Sequence, residues 1–208
     1  MKLIDPQKFA VFAPKALPGT VQALEAAAVE HGLDDPMILA HWLGQMYVES
    51  AGYSKMSESL NYSVAGLKAT FGRHRISAAD CEKFGRKPGR AANQNAIANI
   101  VYGGKWGRDN LGNTQPGDGW RFRGGGFKQI TGRSNYREAG YEDNPQGLCE
   151  DVRGSAMAAA NFFVNHGCLG PALDDDVEAV TRKVNGGLNG LPERRIATQK
   201  AKAVTGAV

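Results

Sequence analysis

The chain has 208 residues, enough to bury one sizeable core, and its 42% hydrophobic and 22% charged residues are the balance of an ordinary folded protein, not of a disordered one. Twenty-five basic and 21 acidic residues leave a formal charge of +4, which suits an anionic polymer such as nucleic acid or bacterial wall but serves plain solubility as well. Cys81, Cys149 and Cys168 are odd in number and widely spaced, which argues against a disulfide framework, and the four histidines have no metal-ligand spacing, so no metal is expected.

The N-terminal apolar stretch is short and broken by Pro6, Pro14 and Pro18, a poor export signal, and nothing approaches a transmembrane span. Residues 1–34 read as a helical segment packed on the body, with Thr20 capping a helix that stops at Gly32. Asp35-Pro36 is a strong start, an N-cap followed by proline at the first helical position, and the helix it opens ends near Ser50. Ser63 and Ser77 cap two further helices, and residues 91–101 also read as helix. Gly103–Gly126 mixes Gly, Asn, Asp and aromatics and predicts a small β-hairpin or extended loop. Helices resume at about 132–139, 151–166, 174–185 and 192–203. The sum is a mainly α protein, one catalytic-sized domain over 1–208, with a small β-hairpin and a cleft.

Four segments could carry chemistry. In the helix opened by Asp35-Pro36, Ile38, Trp42, Met46 and Glu49 follow helical spacing, so Glu49 lies on or beside an apolar stripe. Partial desolvation and the helix C-terminus would both favour its protonated form, as a glycosidase's general acid requires. Periodicity alone favours the plainer alternative, a solvated glutamate at a helix end. Nine residues on, Glu58 in SESLNYS would face Glu49 across a cleft if 50–57 turns back, and inverting glycosidases set such carboxyls roughly 6.5–9.5 Å apart. Taken alone, Glu58 is an ordinary polar loop residue more often than a base. Gln129, Thr131, Asn135 and Tyr136 supply the amides, hydroxyls and ring face that sugar recognition uses, or else a plain turn-rich surface. In VNGGLNGLPERR, Asn185 and the paired glycines can join two helices, and Arg194 can brace a carboxylate.

Together, in order and over about residues 35–200, these segments resemble family 19 glycoside hydrolases, the chitinase-like branch of the lysozyme superfamily, and within it the phage endolysins. The quoted pieces are AHWLGQMYVESAGY, SESLNYS, GNTQPGDGWRFRGGGFKQITGRSNY and VNGGLNGLPER. The resemblance implies a lysozyme-like, two-lobed helical domain with a substrate cleft and no separate wall-binding module. It implies Glu49 as acid, Glu58 as base and Thr131 as holder of the attacking water. Gln129, Asn135 and Asn185 would contact sugar together with Tyr62 and Tyr136, and Arg194 would tune the acid. This sequence departs from the family at Gly125, where an arginine is usual, and at Lys128, where the family has an apolar residue; Arg123 or Lys128 would compensate, or that subsite differs.

The implied activity is hydrolysis of β-1,4 bonds in peptidoglycan glycan strands, without cofactor, by a monomer that neither binds nucleic acid nor inserts stably in a membrane. Such an endolysin would stay in the host cytoplasm until a holin opens the way to the periplasm and wall. The alternatives are a chitinase, a lytic transglycosylase, or a glycan-binding protein without turnover.

Overall fold

The computed structural model describes residues 2–208, which fall into two units, each with its own core. The first takes in the chain up to Met56, Gly126–Gln129 and Gly147–Val208. Its helices are α1 (Pro6–Phe12), α2 (Thr20–Glu30), α3 (Pro36–Glu49), α11 (Val152–Asn165), α12 (Leu169–Leu173), α13 (Val177–Asn185) and α14 (Leu191–Thr205), with α10 (Pro145–Glu150) leading in. The caps read from sequence hold at α3: the Asp35 carboxylate accepts the amides of Met37 and Ile38 at 2.8 and 3.1 Å, an arrangement that contributes about 1 kcal/mol.

The amphipathic stripe expected on α3 is absent. Ile38 to Met46, nine consecutive residues, are all buried, because α14, α12, α13 and α11 pack around the helix. A helix buried all round must satisfy its polar side chains from within. His41 Nε2 meets Asp175 Oδ1 at 2.8 Å, and Gln45 Nε2 donates to Thr181 Oγ1 at 3.1 Å. The tightest approach is at Gly44, where a Cβ would lie 2.5–2.6 Å from Oγ1, Cα and N of Thr198 on α14. Elsewhere α2 packs on α11 through small residues, Ala23, Ala27 and Ala28 against Ala156, Ala159 and Ala160. Phe9, Phe12, Tyr47, Tyr53 and Phe127 form a chain of ring contacts 4.6–5.9 Å apart or, for Tyr47 and Tyr53, 6.4 Å.

The second unit, Ser57–Gly125 with Ile130–Gln146, holds α4 (Val64–Thr70), α5 (Ala78–Phe84), α6 (Gln94–Val101), α7 (Gly104–Leu111), α8 (Asp118–Arg121) and α9 (Arg133–Glu138). Ser63 and Ser77 cap α4 and α5 as expected, accepting the amides of Gly66 and Asp80 at 3.0 Å. Leu60, Leu67, Phe71, Ile76, Cys81, Ile97, Ala98 and Val101 form the core.

Gly103–Gly126 is not a hairpin. It forms the short helices α7 and α8, and among the described residues there is no strand, only isolated bridges, two of them joining Gly125 to Ser57 and to Ile130. The physical reason lies in Asp118. Its buried carboxylate accepts the amides of Thr114 and Gln115 at 2.9 Å and takes a two-pronged ion pair from Arg133 at 2.6 and 3.0 Å. That coil of donors bends the backbone into a turn and a helix where a hairpin would need it extended.

Two predictions follow from α3. Gly44→Ala drives a methyl into the Thr198 backbone, so denaturant titration should show a loss of about 1–3 kcal/mol or more; unchanged stability would mean α3 and α14 part freely. His41, fully buried, has its proton affinity lowered from 6.5, by burial first, with Asp175 opposing. Below about pH 6.5 the unfolded chain therefore binds more protons at this residue than the folded one, and stability falls as pH drops. Asp175, held below its usual range by Lys202 first and then by His41, adds loss in the same direction at lower pH. His41→Gln should flatten the upper part of that decline in unfolding curves taken between pH 7 and 5.

Candidate active site

Glu49 and Glu58 belong to different units, and each has its own surroundings. Glu49 is the last residue of α3, half-buried where the helix leaves the core. A tight turn fixes its exit. Ser50 Oγ donates to the Met46 carbonyl at 2.6 Å and accepts the Tyr53 amide at 2.9 Å, while Ala51, Gly52 and Tyr53 all take left-handed backbone angles. Tyr53 is buried nonetheless, its hydroxyl donating to the Leu43 carbonyl at 2.8 Å, and this clamps the turn to α3.

Arg194, near the start of α14 and 3% exposed, reaches Glu49. Its Nη2 donates to Oε1 at 2.5 Å, Nη1 to Gln45 Oε1 at 2.7 Å, and Nε to the Asn189 carbonyl at 3.1 Å. Each of the three guanidinium nitrogens donates one hydrogen bond, which is what keeps a buried cation tolerable. Glu49 Oε2 accepts no hydrogen bond among the described residues. Gln45 escaped the sequence reading, although it lies four residues before Glu49 and so on the same helix face.

Lys128 is in electrostatic reach of Glu49, its proton affinity lowered by burial first, with Glu49 opposing. Its ammonium sits 4.3 Å over the Phe162 ring. The four-residue stretch carrying it is pinned to the first unit, where the Gly126 amide donates to the Met56 carbonyl at 2.8 Å and the Phe127 amide to Ser155 Oγ at 2.6 Å. Gln129, at φ +56, folds its side-chain amide onto the Gly126 carbonyl at 2.9 Å. Asn185 ends α13 and is exposed.

Glu58 lies in irregular chain, held by the glycine-rich segment and by the end of α6. Its amide donates to the Gly124 carbonyl at 2.8 Å, and the Gly124 amide donates back to Oε2 at 3.1 Å. Tyr102 Oη donates to Oε1 at 2.7 Å. Burial first, then the Glu58 charge, push the ionisation of Tyr102 far up, and the same two causes raise Tyr62. No local pattern marks Tyr102 or the Gly124 amide, since their partner is 44 or 66 positions away.

Of the other candidates in this unit, Thr131 is half-buried and its carbonyl accepts Asn135 Nδ2 at 2.7 Å, with Asn135 exposed on α9. Tyr136 is fully buried, its ring 5.3 Å from Phe122 and its hydroxyl donating to the Arg123 carbonyl at 2.7 Å, so it braces the segment and offers no ring face at the surface. Arg123 is also buried, over the Trp120 ring at 4.1 Å and bonded to the Trp120 carbonyl. It is committed to packing. Among the described residues no three His, Cys, Asp or Glu side chains gather to hold a metal, and no helix is long and apolar enough to cross a membrane.

No family model matches the chain. Over 185 residues it is 35% identical to a glycosyl hydrolase family 19 domain-containing protein of Haemophilus influenzae, covering 87% of this chain and 86% of that one. Its fold is similar to that of chitinase C from Streptomyces griseus, with a TM-score of 0.63 at 11% identity over 100% of this chain and 78% of the other. It is similar too to a bacterial family 19 chitinase, with a TM-score of 0.59 at 14% identity over 99% and 96% of the two chains. At those identities the structures speak to fold alone, but the Haemophilus relative carries the assignment further: the chain belongs to glycosyl hydrolase family 19 and is a glycoside hydrolase.

Proposed function

We propose that the chain is an endolysin that hydrolyses β-1,4 bonds of peptidoglycan by a single displacement. The observation that carries this reading is the Glu49 carboxyl, with one oxygen held by a buried arginine and the other without a hydrogen bond. Glu49 gives its proton to the leaving glycosidic oxygen as the bond to the anomeric carbon breaks. Glu58 takes a proton from the water whose oxygen forms the new bond, and Thr131 orients that water. Gln129, Asn135, Asn185 and Tyr62 contact the sugars, and Arg194 fixes the acid. Attack from the face opposite the leaving group inverts the anomeric centre. Glu49 then regains its proton from solvent.

Peptidoglycan is favoured over chitin by two features. The motifs resemble those of endolysins, and a lysine stands within electrostatic reach of the acid where the family has an apolar residue. Peptidoglycan bears carboxylates on its peptide stems, whereas chitin is neutral, so a cation here suits the charged polymer.

Glu49→Gln should cut turnover by about 10²–10⁴-fold while leaving the melting temperature near that of the parent, since a glutamine oxygen still accepts from Arg194. A folded variant with near-normal wall lysis would remove Glu49 from the mechanism. Mass spectrometry of purified peptidoglycan after digestion should show reducing ends. Anhydro ends would identify a lytic transglycosylase instead, and turnover of chitin alone would identify a chitinase.

A further inference from the structure

A general base must be ionised and aimed, and Glu58 lies in irregular chain where a long side chain ordinarily samples several rotamers. Here both its oxygens are engaged, by Tyr102 Oη at 2.7 Å and by the Gly124 amide at 3.1 Å. We infer that Tyr102 is the positioning residue of the base: it aims the Glu58 carboxylate at the water from which it takes a proton. The inference rests on the reading of Glu58 as base given above.

The tyrosine is itself fixed. Its amide donates to the Ala98 carbonyl at 2.9 Å, and its carbonyl accepts Asn113 Nδ2 at 2.8 Å. Behind it lies Arg75, whose Nε and Nη2 both donate to the Val101 carbonyl, at 2.9 and 2.6 Å. The guanidinium stacks on Trp106 at 3.7 Å and sits 5.2 and 5.5 Å from the Phe71 and Tyr102 rings. Arg75 makes no ion pair with Glu58. It locks the residue preceding Tyr102 and lends positive potential to the carboxylate from behind a wall of aromatic rings. The titratable and charged groups facing Glu58 are thus Tyr102, Tyr62 and Arg75.

With its ionisation pushed far up, Tyr102 acts as a hydrogen-bond donor throughout the working pH range. A carboxylate oxygen has two lone pairs, so one donor on each oxygen leaves room for the proton that the base must take.

The test is Tyr102→Phe beside Glu58→Gln, assayed on purified peptidoglycan and on chito-oligosaccharides across pH, with melting temperatures alongside. Phenylalanine keeps the ring against Phe71 and Arg75, so the fold should persist. The expected result is a fall in kcat of about tenfold, equivalent to about 1.4 kcal/mol, with KM little changed. If Glu58→Gln is inactive while Tyr102→Phe keeps the parent kcat, the inference is overturned. A lower melting temperature with kcat unchanged also overturns it, since that is a structural role alone. If Glu58→Gln stays active, the reading of Glu58 as base fails and the inference falls with it.

Discussion

The first unit is organised by one constraint: the middle of α3 has no solvent face, so its long polar side chains take their partners from the elements packed on it, although His41 Nδ1 and Trp42 Nε1 find none among the described residues. Gln45 needs two, and one of them is Arg194, a cation that would be intolerable in that position without acceptors on every side. Glu49 supplies the charge that balances it. The Glu49 carboxyl is therefore held by the same interaction that lets Arg194 lie buried. Anchoring one oxygen to a structural arginine leaves the other oriented with little freedom, which is the preorganisation that proton transfer rewards.

Glu58 solves the same problem by other means. No helix carries it, and its two donors come from distant parts of the second unit: a backbone amide in the glycine-rich segment, and a phenol at the end of α6. The segment approaches closely enough for Gly125 to bridge Ser57 directly. At Gly125 the chain offers bare backbone, and the nearby Arg123 is spent on Trp120.

Much of the fold was legible because its signals are local. Asp35, Ser63 and Ser77 announce helices within three or four residues, and the structure agrees with each. Helical spacing put Glu49 next to the apolar positions, and the bracing role of Arg194 followed from its chemistry. What escaped was set by tertiary context. The pattern of α3 looked one-sided, yet neighbours far along the chain cover it all round. Gly103–Gly126 had turn residues in plenty, but the deciding group was Asp118, whose ion pair with Arg133 lies beyond the segment. Tyr136 offered a ring and a hydroxyl suited to sugar, and the core claimed both. Tyr102 had nothing near it in sequence to suggest a carboxylate.

The pairing of α3 with α14 also has a consequence in time. Gln45 and Arg194 are 149 positions apart, so during synthesis at about 5–20 residues per second α3 leaves the ribosome on the order of ten seconds before the helix that covers it. Through that interval the buried surface of α3 lacks its main cover, and transiently exposed apolar surface of this kind is what makes nascent chains prone to aggregate. The carboxyl of Glu49 gains its arginine only when α14 is complete. An unfinished chain therefore lacks the ion pair that fixes the Glu49 carboxyl.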